Sequence, residues 1–390
     1  MLLKKKIITF AFMTLLPFGI LALINFLFDP LHLFRKSWGT SPVYYYDERF
    51  KVPGLVRQSF PTEIVVGPST AQPFYAKVLK AAGKPKALNA AMSAATIYEQ
   101  RLTVEMAKTH SAVKRIFWGI EWITFSYPTD KVTDRFNVFP HHLYKGRGLD
   151  VFFYLLSTQT LELSLQSWRF KKNGEYGHFW SYEPEVTKVA STNREYSVHA
   201  AIKDYFAVKN SDEVSKSWTE KSNINLFSKN FEINLKQVVE NNPDIQFDLI
   251  VFPNTILQTM LLKDDWPDLW TSFSMINRRL NDLAKLDNVT VHNLYAATEY
   301  YMDLSRYRDI QHFNTKTALN ILRDVELKKY VGIDHNAVHH KLLTNIKSFQ
   351  VYCSERSLRA ILEKQETLDA ANCNQYIESF ALDNSSFQEK

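Results

Sequence analysis

The sequence predicts an α/β protein, a three-layer sandwich with a mainly parallel sheet, carried on a single N-terminal transmembrane helix. Three observations support this. Short apolar runs alternate with helical stretches: EIVVG at 63–67, RIFWGI at 115–120, FDLIVF at 247–252 and VTVHNL at 289–294. Such alternation builds parallel sheets covered by helices. Residues 7–28 contain no charged side chain. A long aromatic-rich interval, about 125–222, interrupts the alternation and reads as an insertion covering the sheet.

Taken in order, residues 1–6 form a cytoplasmic tip and residues 7–28 an anchor. At about 1.5 Å per residue the anchor reaches about 33 Å, enough to cross a hydrocarbon core. A cleaved secretory signal would have a shorter apolar region and small residues at a cut site, whereas this stretch runs out through Asn25, Phe26, Leu27, Phe28, Asp29 and Pro30. Lys4, Lys5 and Lys6 precede it, and positive flanks stay in the cytoplasm, so the rest of the chain is exported; Arg35 and Lys36 weaken that asymmetry without reversing it. The expected place is the inner membrane, single-pass, with the domain in the periplasm or outside the cell and the lipid bilayer as a partner.

A connector at 29–60 leads to the α/β domain at 61–332. There the 63–67 strand ends at Gly67, Pro68 and Ser69, and an Ala-rich helical stretch follows to Gly83. Residues 87–95 are small, 98–108 are helix-like, and 115–120 are the second strand. Within the insertion one amphipathic helix is expected near 150–168. Phe227, Phe231, Leu235 and Val238 recur at helical spacing and stop at Asn241, Asn242 and Pro243, a helix terminator. The third strand, a helix at 269–286, the fourth strand and a helix at 314–330 complete the domain, and residues 333–390 form a helical tail.

With 45% apolar and 14% aromatic residues among 390, the chain can bury a large core. Its net charge of +6 gives no basic patch for nucleic acid. Cys353 and Cys373 are the two cysteines; in an oxidising compartment they could pair, and two buried thiols fit equally well.

Ser69 follows a strand and precedes a helix, a position that exposes a hydroxyl and aims backbone N–H groups and a helix dipole at an anion. A serine there is equally a helix cap. Far downstream, Asp309 stands three residues before His312, a spacing that lets a carboxylate orient an imidazole base; Asn314 then caps the next helix. His335 and His339 share a helix face beside Asp334, but Asn336 replaces the glutamate of a metalloprotease motif, so they read as solvated histidines and no metal is expected. Among 11 glycines there is no phosphate-binding loop, and no cofactor is expected.

The order and surroundings of Ser69 and His312, together with Asp29-Pro30, IVVGPST, LNAAMSAATIYE, RIFWGIEW, the FPN at 252–254 and DIQHFN, resemble the SGNH (GDSL-like) hydrolase superfamily. The resemblance covers roughly 29–330 and is closer to its membrane-anchored branch, the alginate O-acetylation and teichoic-acid D-alanylation proteins that accompany membrane-bound O-acyltransferases. It implies Ser69 as nucleophile, His312 as base and Asp309 as its orienter. The oxyanion glycine is matched by Ala94, whose N–H serves equally, but Glu121 stands where an asparagine is usual and would repel an oxyanion. Asn89 or Asn254 could substitute, although Asn89 also reads as a turn residue. The expected activity is extracytoplasmic acyl transfer or ester hydrolysis on a cell-surface polysaccharide. The alternative is a non-catalytic tethered domain that binds glycan or supports a membrane-bound O-acyltransferase.

Overall fold

The computed structural model describes residues 2–34, 48–133, 139–144, 150–173, 195–221 and 223–381. Arg35, Lys36 and much of the 125–222 insertion lie outside them. The chain separates into two compact units: residues 1–62, 102–113 and 133–192 form one, and residues 63–101, 114–132 and 193–390 the other. The insertion is therefore divided, its middle part, 133–192, belonging with the N-terminal helix and both its ends with the sheet.

The second unit holds five strands, β1 (Glu63–Val66), β2 (Ala87–Asn89), β3 (Arg115–Ile120), β4 (Gln246–Val251) and β5 (Val289–Asn293). They pair in the order β2-β1-β3-β4-β5, every pair parallel. In β1, Ile64, Val65 and Val66 are all buried, and so are the last five residues of β3 and of β4. Successive strand side chains point to opposite faces, so unbroken burial means that both faces are covered. The four apolar runs are all strands. The small-residue stretch from Ala87 supplies β2, a three-residue edge strand that carries too few apolar side chains to announce itself. A helix not anticipated, Ile256–Asp264, follows β4, with Thr255 as its N-cap accepting from the Gln258 N–H.

The direction of winding reverses between β1 and β3, and ligand sites in open parallel sheets form where strands end at such a reversal. Packing is tight there. A Cβ at Gly119 would lie 2.2 Å from the ring of Phe252, which itself is held between Phe74 and Phe313 at centroid distances of 5.5 and 5.6 Å.

At the C-terminus, Cys353 and Cys373 form a disulfide that joins the helices His335–Tyr352 and Leu368–Glu378, deciding between the two states the sequence left open. His335 is buried and His339 half-buried, which corrects the reading of both as solvated. The His339 ring lies 5.1 Å from that of Trp270, and its Nδ1 is 3.3 Å from the Ser274 hydroxyl. The reason is that His335–Tyr352 packs its histidine face on the helix Pro267–Leu283. Burial lowers the pKa of both imidazoles.

In the first unit, the helix Leu2–Phe28 contains a stretch, Lys4–Phe28, long and apolar enough to cross a membrane. It fits a signal anchor or a signal peptide, and the disulfide hints at an extracytoplasmic location. The connector contains a helix, Glu48–Ser59, tied to residues 139–144 by Arg57 donating to the Leu143 carbonyl and Tyr144 donating to that of Arg49. The single helix expected near 150–168 is two, Asp150–Leu155 and Thr158–Asn173.

Gly119→Ala is expected to destabilise the sheet unit by about 1–3 kcal/mol through overpacking against the Phe252 ring. The denaturation midpoint checks this; an unchanged midpoint would mean that the ring steps aside at no cost.

Candidate active site

Ser69 owes its position to the turn at the end of β1. Gly67 passes Gly119 so closely that a Cβ on Gly67 would stand 3.4 Å from the Gly119 Cα, and the Gly67 carbonyl accepts from Met92 N–H. The chain then turns through the 3-10 segment Ser69–Ala71. The helix dipole expected behind Ser69 is absent, because Pro73 has no N–H with which to continue the turn, and the helix begins only at Ala76–Ala81. Nor does the Ser69 hydroxyl cap anything; it lies 2.8 Å from His312 Nε2.

His312 sits in a loop closed by the antiparallel bridge between Tyr307 and Phe313. Inside it, Asp309 Oδ1 accepts the N–H groups of Gln311 and His312 at 2.8 and 2.6 Å, so the carboxylate folds the loop that it serves. Its Oδ2 takes a 2.7 Å hydrogen bond from His312 Nδ1. An ionised carboxylate only accepts, so Nδ1 carries a proton, and in that tautomer Nε2 is the nitrogen that can accept from the Ser69 hydroxyl. Burial opposes the charge of Asp309, but the His312 ring, its charged form and the two backbone N–H groups hold the carboxyl well below its usual range.

The loop is held from outside as well. The Ile310 carbonyl accepts both the N–H and the hydroxyl of Thr255, at 3.1 and 2.9 Å. The Ile310 N–H donates to Asp204 at 3.1 Å, a carboxyl whose pKa is raised by burial despite that bond. Phe313 is fully buried against Phe74 and Phe252. Ser69 and His312 themselves remain partly exposed.

Glu121 follows β3 and is 5% exposed. Its Oε2 accepts from the Thr70 hydroxyl at 3.1 Å and its Oε1 from the Gln311 amide at 3.0 Å. One carboxyl thus ties the neighbour of Ser69 to the neighbour of His312. Burial raises its pKa, while the charge of His312 and the Thr70 hydrogen bond act against the rise. A group bonded in this way and displaced toward its neutral form repels an anion less than its place in the sequence suggests.

The three oxyanion candidates stand differently. Asn89 is occupied in holding the turn: its Nδ2 donates to the carbonyls of Ala71 and Gln72, and its Oδ1 accepts from Ala91 N–H. Ala94 lies in the turn after β2 at φ +50°, a left-handed conformation that glycine adopts without cost. Asn254 is buried, and its side-chain nitrogen and oxygen have no hydrogen-bond partner among the described residues. The residues flanking it hold the histidine loop, since the Pro253 carbonyl accepts from Tyr307 and Thr255 bonds Ile310.

Sequence reasoning missed Thr70, Gln311, Thr255 and Asp204. Thr70 lies within IVVGPST and Gln311 within DIQHFN, but their common partner Glu121 is far from both in sequence, and Asp204 belongs to the insertion, where no local pattern points to the site.

For Glu121 the folded-state pKa lies above the unfolded one, so its contribution is fully present below the ordinary glutamate value of about 4.3 and is lost as pH rises through the raised value. Glu121→Gln, which cannot ionise, is expected to gain stability relative to the unsubstituted protein as pH rises from about 4.3 through the raised value. Denaturant unfolding at both ends of that range checks this; an unchanged difference would mean that the carboxyl titrates normally. Compared with known proteins, the chain matches no family model, no curated protein and no solved structure.

Proposed function

We propose that the protein is a membrane-tethered acyl-transfer enzyme acting outside the cytoplasm, with Ser69, His312 and Asp309 as its catalytic residues. The observation that carries this reading is the continuous chain of hydrogen bonds Ser69–His312–Asp309, with the nucleophile partly exposed. The Ser69 oxygen attacks an ester or thioester carbonyl while His312 Nε2 takes the hydroxyl proton, and Asp309 stabilises the resulting imidazolium. The leaving alcohol or thiol departs with that proton, and Ser69 is left as an ester. A sugar hydroxyl, or water in the esterase variant, then gives its proton to His312 and takes the acyl group, and His312 returns that proton to the departing Ser69 oxygen. The Ala94 N–H and the Asn254 amide are the groups assigned to the oxyanion.

The resemblance to SGNH hydrolases and their membrane-anchored branch supports a cell-surface polysaccharide as acceptor and a membrane-bound O-acyltransferase as partner. Tethering supports it too, since a partner in the same bilayer delivers substrate at a high effective concentration.

A fluorophosphonate probe tests the reading. One equivalent should attach at Ser69; Ser69→Ala abolishes labelling and His312→Ala slows it by about 10³-fold or more. A folded protein that does not label would instead favour the non-catalytic accessory role, the reading that Glu121 within RIFWGIEW supports.

A further inference from the structure

We infer that the elbow formed by the helices Asp150–Leu155 and Thr158–Asn173 lies in the outer lipid–water interface as a second, in-plane membrane contact. This rests on the reading of Leu2–Phe28 as an uncleaved transmembrane anchor.

The elbow is bonded to the anchor at a defined depth. Asn25 Nδ2 donates to the carbonyls of Leu155 and Ser157 at 2.8 and 3.0 Å, and Ser164 donates to Asn25 Oδ1 at 3.4 Å. Just beyond the span, the Tyr154 hydroxyl donates to Asp29 at 2.9 Å and accepts from Leu31 N–H at 3.2 Å. Asn25, Asp29 and Tyr154 are fully buried, so the end of the apolar helix is built into the fold of this unit. With the basic tip on the cytoplasmic side, about 20 residues cross about 30 Å of hydrocarbon, counted from Ile7. That count ends close to Asn25, which places the bonded elbow at the outer boundary of the hydrocarbon.

What the elbow exposes suits that depth. Thr160, Leu163 and Ser164 are buried, whereas Phe152, Phe153, Leu156, Leu165 and Trp168 are 40–66% exposed. An apolar patch of this kind in water marks an interaction surface. Phenylalanine, leucine and tryptophan on a helix lying in the membrane plane occupy the boundary between headgroups and acyl chains, and the exposed Arg169 next to Trp168 can meet lipid phosphate. Lipid is favoured over a protein partner because the elbow's hydrogen bonds to the span already hold it at bilayer depth. No second molecule is needed to bring apolar surface to it.

Both cysteines of the chain are disulfide-bonded, so an added cysteine is the only free thiol. The full chain is reconstituted in phosphatidylcholine–phosphatidylglycerol vesicles with a nitrobenzoxadiazole dye at Phe153→Cys, or independently at Phe152→Cys. Quenching by lipids carrying doxyl groups on their acyl chains is then compared with dye at Leu327→Cys, an exposed position in the sheet unit, and at Ile20→Cys in the span. Severalfold stronger quenching at 152 and 153 than at 327 is expected. Quenching at 20 with none above the Leu327 level at 152 and 153 overturns the inference while leaving the anchor intact, and would give the patch to a protein partner. No quenching at 20 overturns the anchor reading itself.

Discussion

The two hydrogen bonds that the Ile310 carbonyl takes from Thr255 hold the candidate site together. Thr255 also caps the helix after β4, so the same residue that starts a core helix fixes the loop carrying His312 at the C-terminal edge of the sheet. Ser69 reaches that edge through β1 and the glycine contact with β3. Residues 243 apart in sequence thus meet at 2.8 Å without either depending on a long side chain to bridge the gap. The reversal of winding between β1 and β3 agrees with the place of the site, since ligand sites in open parallel sheets form at the strand ends beside such a reversal.

Glu121 shows how a buried acid can sit beside this pair. A carboxyl removed from water is costly when charged, and one that bonds two donors while its pKa rises avoids most of that cost. Its position also explains the choice of residue. With donors on two separate segments to satisfy, a side chain offering two oxygens on a flexible stem reaches both, whereas asparagine, one carbon shorter, offers one acceptor. Asp309 works in a related way on a smaller scale, since one of its oxygens shapes the loop and the other orients the imidazole.

The first unit is organised around the end of its apolar helix. Asn25 is a polar residue near the end of an apolar helix, where an unsatisfied amide would be penalised; its amide is instead spent on backbone carbonyls at the junction of two helices. The Leu155 carbonyl, at the end of the first helix, is one that helix geometry leaves unpaired, whereas the Ser157 carbonyl also accepts the Leu161 N–H that opens the second. The apolar helix and the elbow satisfy each other's polar groups and leave apolar side chains facing outward.

The sequence alone determined what depends on local pattern: four of the five strands, the apolar helix, the parallel class of the sheet, and Ser69, Asp309 and His312 as the residues to watch. These were legible because burial imposes periodicity and because Asp309 and His312 are close enough in the chain for their spacing to carry meaning. The edge strand β2 and the helix Ile256–Asp264 were not legible, the first for want of apolar side chains and the second because its buried run carries no clear period. Only the tertiary structure decided that Asn89 is held in a turn, that the Asn254 amide has no partner among the described residues, that Glu121 is bonded rather than bare, and that the cysteines pair. Each of these is settled by which distant backbone or side chain stands within about 3 Å, a quantity fixed by packing and absent from any local run of residues.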